Sequence, residues 1–142
     1  MDQYRCGHNI RIEELVSSDV HRVFGDKSWM FLNPQMLRTL DALRKRYGVM
    51  YLNDWLWGGP NQYKVFRESS CIVGAPLSQH RLGNAADPKF KHVTAEEVRA
   101  DAVKRDNQGW ACLITQIESD VSWFHFSCGN IDTRNGIKII KG

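Results

Sequence analysis

Two imidazoles and one carboxylate could do chemistry together: His80 and Asp87 in SQHRLGNAAD, with six residues between them, and His125 in SWFHFSC. Imidazole and carboxylate are zinc ligands, and a catalytic zinc takes three protein ligands and leaves its fourth position to water. The same types and spacing also fit a polar loop, or a histidine buried and hydrogen-bonded in a core. If 121–128 is a strand, alternation puts Trp123, His125 and Ser127 on one face and Phe124 and Phe126 on the other. The phenylalanines can then bury while His125 turns toward a ligand. Small residues after His80 suit the same purpose. Gly83 permits a bend or a close approach, and Ala85 and Ala86 let a strand pack tightly behind a metal. Pro88 favours an extended Asp87.

The elements that must position these residues follow from the patterning. Residues 12–24 carry a weak helical period in Ile12, Leu15, Val16, Val20 and Val23. A clearer helix starts at Asn33 as cap with Pro34 in its first turn. It repeats Met36, Leu37, Leu40, Leu43 and Tyr47, and stops at Gly48. Its last turn holds the basic cluster Arg44, Lys45, Arg46. Residues 49–57, VMYLNDWLW, predict a strand closed by Gly58, Gly59 and Pro60. Thr94 and Glu97 form a capping box for a third helix, with Val98, Ala102 and Val103 on its apolar face. Two strands over 110–118 and 121–128, joined around Ser119 and Asp120, and a last strand within 136–141 complete the chain. Helices come first and strands cluster late, so an α+β fold is expected, with an antiparallel sheet packed against helices.

Composition narrows the class. The chain has 142 residues, 42 % hydrophobic and 25 % charged, which suits one soluble globular domain over residues 1–142. No apolar run is long enough to span a membrane, and the N-terminal MDQYRCGHNIRIEELV lacks the apolar stretch of a signal peptide. Synthesis in the cytoplasm is therefore expected, with any action at the cell wall following release or as part of a virion. A net charge of +3 suits anionic surroundings such as cell-wall polymers but does not argue for nucleic acid. Cys6, Cys71, Cys112 and Cys128 are widely spaced, form no CxxC pair, and are expected to be free thiols. No HExxH, GxSxG, P-loop or GxGxxG motif is present.

SQHRLGNAAD matches the S-x-H-x-x-G-x-A-x-D signature of the D-alanyl-D-alanine carboxypeptidase and L-alanyl-D-glutamate endopeptidase family of metallopeptidases. WFHF resembles that family's closing W-x-H segment. The resemblance covers roughly residues 32–130, and a stand-alone domain of this size most resembles versions encoded by bacteriophages, such as endolysins. It implies the Hedgehog/D,D-peptidase fold and Zn²⁺ bound by His80, Asp87 and His125. It also implies a substrate arginine at Arg67 in YKVFRESS, on the strand before the signature, and a substrate-side serine at Ser78. The implied activity is hydrolysis of peptide bonds in peptidoglycan stem peptides, as carboxypeptidase or endopeptidase, by a monomer. Arginine suits an oxyanion because it stays protonated and offers a planar fork of donors; a plain surface salt bridge is the other role open to Arg67.

The chain departs from the pattern at one position. Many family members carry a glutamate three residues before the final histidine, where this chain has Ser122. A carboxylate must still take the proton of the attacking water and deliver it to the leaving amine. Glu118, seven residues before His125 on the preceding strand, is the expected general base; Asp120, shorter and in the turn, is expected to face solvent. Without a carboxylate in reach, the protein would be a catalytically silent, zinc-stabilised binding or structural viral protein of the same fold. His8, His21 and His92 lack ligand-like partners at short spacing and are expected at the surface or as caps. Trp55 and Trp57, on one face of the expected strand, belong either to the core or to a substrate groove. Asn53 and Gln62 lie in the same stretch without an assigned role.

Overall fold

A computed structural model describes residues 10–75, 77–105, 108–131 and 133–142. Cys6 and His8 lie outside them. Its elements are helices α1 (Ser18–Phe24), α2 (Pro34–Tyr47) and α3 (Ala95–Arg105), and strands β1 (Met50–Tyr51), β2 (Ala85–Ala86), β3 (Lys89–Phe90), β4 (Gln116–Ser119), β5 (Phe126–Ser127) and β6 (Lys138–Lys141). The class is mixed α and β. β1 pairs with β3, and a second sheet runs β2-β5-β4-β6.

α2 forms where its periodicity lies. Asn33 Oδ1 accepts from Gln35 N at 2.8 Å, and Gly48 ends the helix at φ +79°. Met36, Leu37, Leu40 and Leu43 are fully buried, each such burial being worth about 1.5–3 kcal/mol. α3 has the expected reciprocal cap: Glu97 N donates to Thr94 Oγ1 at 3.1 Å, and Thr94 N to Glu97 Oε2 at 2.7 Å. Residues 12–24 do not form one helix. A 3-10 turn, Ile12–Glu14, gives way to α1 because buried Ser17 caps the latter, accepting from Val20 N at 3.2 Å.

The strands are shorter than the patterning suggests. Of 49–57 only Met50–Tyr51 is strand. Asn53 then spends its amide on Val16 and Gln62 carbonyls, and Asp54 turns the chain by accepting from Asn61 N at 2.7 Å. Trp55 and Trp57 thus sit in a 3-10 turn rather than on a strand face. Trp55 donates to Val16 O at 2.8 Å, and Trp57 is exposed, so neither lies in the core. Residues 109–111 form another 3-10 turn, leaving Gln116–Ser119 as strand. Of 121–128 only Phe126–Ser127 pairs as strand, since the Val121 and Trp123 carbonyls are taken by Arg99 of α3.

Nor is the larger sheet wholly antiparallel. β5 pairs antiparallel with β2 and β4, but β6 runs parallel to β4, Ile117 opposite Ile139. Its inner face buries Ile117, Phe124 and Phe126, with the two phenylalanine rings stacked 5.8 Å apart. Cys71, Cys112 and Cys128 are free thiols, and burial pushes the Cys128 thiol up to about 12. No helix among the described residues is long and apolar enough to cross a membrane.

Candidate metal centre

Each member of the His/Asp/His set is delivered by a different local device. His80 lies in the 3-10 turn Gln79–Leu82, which Ser78 caps by accepting from His80 N at 3.3 Å. Gly83 ends that turn at φ +73°, and a Cβ there would come within 1.9 Å of the Phe31 carbonyl oxygen, so only glycine fits. Asp87 follows fully buried β2, and its amide donates to Lys64 O at 2.7 Å. His125 immediately precedes β5, its carbonyl accepting from Glu118 N at 3.3 Å across the hairpin.

These devices bring the three side chains together. His80, Asp87 and His125 each offer a ligand atom within 4.8 Å of the others, the one such group among the described residues. His80 Nε2 lies 3.2 Å from His125 Nδ1 and 3.2 Å from Asp87 Oδ2, while His125 Nδ1 lies 2.7 Å from Asp87 Oδ1. A tetrahedral ion with bonds of about 2.0–2.1 Å holds its ligand atoms about 3.3 Å apart, so the spacing suits one small cation. The tautomer agrees. His80 Nδ1 lies 2.6 Å from Val65 O, which can only accept, so Nδ1 carries the proton and Nε2 turns a bare lone pair inward. Both rings are buried. Burial alone would raise the Asp87 carboxyl, but the His125 and His80 imidazoles beside it outweigh burial and hold the group well below the usual carboxylate range. The cluster can hold a metal ion.

A cavity of about 670 Å³ opens over this cluster, lined also by Lys64, Arg67, Ser78, Glu118, Trp123 and Lys141. Glu118 belongs to it because β4 alternates: Ile117 is buried against Phe126, so Gln116 and Glu118 face the cavity. Its Oε2 lies 3.9 Å from His125 Nδ1. Ser122 lines a different cavity, and Asp120 is an exposed turn residue at φ +59° beside Lys141. Arg67 is not a surface ion pair. It is largely buried, in an irregular segment rather than a strand, with Nη2 donating to Asp87 Oδ2 at 3.3 Å and Nε to Tyr63 O at 2.9 Å. His21 pairs loosely with Glu13, 3.8 Å away, and His92 is exposed.

Several positioning residues escaped the sequence reading. Asn53, buried, donates to Val16 O and Gln62 O and accepts from Lys64 N at 2.9 Å, fixing the segment whose carbonyl holds Asp87. A polar residue inside an apolar run was the available signal, because buried amides must find partners. Gln62 in turn holds Ser18. Arg99, buried on α3, donates to Glu118 O at 3.0 Å, Val121 O at 3.0 Å and Trp123 O at 2.7 Å, clasping the hairpin that carries Glu118 and His125. Its place three residues before Ala102, on the apolar stripe, was the clue. Gly142 lacks a Cβ that would come within 2.3 Å of Glu118 Oε1. No protein-family model, curated protein or solved structure matches the chain.

Proposed function

We propose that the chain is a zinc-dependent peptidase that hydrolyses peptide bonds in peptidoglycan stem peptides, acts as a monomer, and has the Hedgehog/D,D-peptidase fold. The observation that carries this reading is the convergence of His80, Asp87 and His125 beneath an open cavity that also receives Glu118. When bound there, zinc supplies a Lewis acid and lowers the pKa of a water to about 7.

The chain's own groups have distinct parts in the reaction. His80 is held by the Val65 carbonyl, and Asp87 by Arg67 and the Lys64 carbonyl, so the donor set is preorganised. The Glu118 carboxylate takes the proton of the attacking water and returns it to the departing amine. Arg67 spends two N–H groups on Asp87 and Tyr63, and the rest of its fork is available to a substrate carbonyl oxygen. Ser78 holds the His80 turn from the cavity side and borders the substrate. The signature match in SQHRLGNAAD and WFHF supports the peptidase class over other hydrolytic uses of one metal.

The test is incubation of zinc-loaded protein with purified peptidoglycan and assay of new amino and carboxyl termini. Glu118→Gln should keep its metal and lose about 10²–10⁴-fold in rate. Unchanged turnover in that variant would remove Glu118 as the base. A zinc-retaining wild type that releases no termini would instead be a binding domain, the reading that Ser122 favours.

A further inference from the structure

Beside the metal cavity lies a second cavity of about 400 Å³, and the two share Lys64, Asp87 and Trp123 as lining. Its size is within the range of small-ligand pockets. Lys64 and Lys89 bring positive charge to it, and its only acidic lining residue is Asp87. Asp87 is already engaged by His125, His80 and Arg67. No carboxylate among the described residues pairs with the ammonium of Lys64 or of Lys89.

The backbone of Lys64 is held on both sides. Lys64 N donates to Asn53 Oδ1 and Lys64 O accepts from Asp87 N, so its side chain leaves from a rigid point next to a metal-site residue. Trp123, which also lines both cavities, is 48 % exposed while its carbonyl is gripped by Arg99. Lys64 and Trp123, each held through its backbone, thus line both cavities. An ammonium that has no carboxylate partner among the described residues and belongs to a residue lining two cavities is available to an anionic ligand group.

We infer that the second cavity receives a free carboxylate of the peptide substrate, with Lys64 as its cationic partner and Trp123 as the wall along which the peptide crosses. This rests on the peptidase reading and makes Lys64 a specificity-determining residue, selecting acidic peptides over their amidated forms. The carboxylate can be the branch carboxylate of a γ-linked glutamate or the C-terminal one, and the experiment separates them.

The zinc-loaded full chain is titrated calorimetrically with the synthetic peptide L-Ala-γ-D-Glu-L-Lys-D-Ala in three forms: unmodified, amidated at the glutamate α-carboxylate, and amidated at the C-terminus. One amidation should weaken binding to wild type about tenfold, and which one identifies the carboxylate. In Lys64→Gln that penalty should fall to near one, and Lys64→Arg should restore most of it. Circular dichroism and metal content confirm that the variants fold, since the fold uses the Lys64 backbone rather than its side chain. Equal binding of all three forms by wild type, no binding of any, or a tenfold penalty surviving in Lys64→Gln would overturn the proposal. Hydrolysis is followed separately. Lys64-dependent binding without cleavage removes the peptidase reading alone, whereas cleavage indifferent to amidation and to Lys64 removes the second-cavity assignment alone.

Discussion

The α2 helix and the metal cluster are held together by opposite means. α2 rests on area: Met36, Leu37, Leu40 and Leu43 are fully buried along one stripe, and each contributes without depending on the exact angle of any neighbour. The cluster rests on direction. His80 depends on the Val65 carbonyl, Asp87 on the Lys64 carbonyl and the Arg67 fork, and the β4–β5 connection on Arg99. β2 and β5, which flank the ligands, are two residues each. Area is redundant, whereas a directed contact has no substitute. The helix should therefore lose stability in graded steps, and the cluster should lose its ligand while the rest of the protein stays folded.

The largest effect separates the two regions. His80→Ala or His125→Ala leaves two ligands, and metal content should drop from near one per chain to near zero by elemental analysis, with the circular dichroism of α2 retained. Leu40→Ala should do the reverse. It should cost about 2–5 kcal/mol in denaturant unfolding while folded protein keeps its metal. Metal loss in Leu40→Ala at temperatures where it remains folded would show that the regions are not separable.

A smaller effect belongs to Asn53, which touches no ligand. It reaches Asp87 through one intermediary: its Oδ1 holds Lys64 N, and Lys64 O accepts from Asp87 N. Asn53→Ala should weaken metal binding about 10–100-fold, the usual size for outer partners of ligands, as measured by chelator competition. Unchanged metal affinity alongside reduced stability would limit Asn53 to holding the Val16 and Gln62 loops.

What could be seen in the sequence follows the same division. α2 was legible to its ends, because its stripe, Asn33, Pro34 and Gly48 all act within the segment. The capping box of α3 was legible for the same reason. The convergence of His80, Asp87 and His125, and of Glu118 beside them, was legible as motif and alternation: Ile117 and Phe126 turn inward, so Glu118 and His125 share the other side. Strand lengths were not. Their hydrogen bonds were diverted by side chains from distant segments, Asn53 in one case and Arg99 in the other, and no local pattern records such a partner. β6 running parallel to β4 is likewise a long-range choice. The charge of Arg67 is plain in the sequence, but nothing local shows that its fork is spent partly on the metal-site carboxylate.

The smallest effect tests whether the two regions communicate at all, and Asn33 is where they meet. Its Oδ1 caps α2 at Gln35 N, while its Nδ2 donates to Asn84 Oδ1 at 3.0 Å and to Cys128 O at 3.4 Å. Its amide also donates to Gly83 O at 2.9 Å, at the end of the His80 turn. Two substitutions split these duties. Asn33→Ala removes both and should cost about 1 kcal/mol, the usual worth of a cap. Asn33→Asp keeps the capping oxygen and adds a charge that suits a helix start, but it offers Asn84 and Cys128 an acceptor where they need a donor. Its stability should stay near that of wild type, while metal affinity should fall by about threefold, the scale of one neutral hydrogen bond. That pattern requires strain to pass from the Asn84 side into the His80 turn, because the helix itself is intact in the aspartate variant. If chelator competition gives the same metal affinity for Asn33→Asp as for wild type, the joint is only a cap, and helix and metal centre are neighbours that do not influence each other.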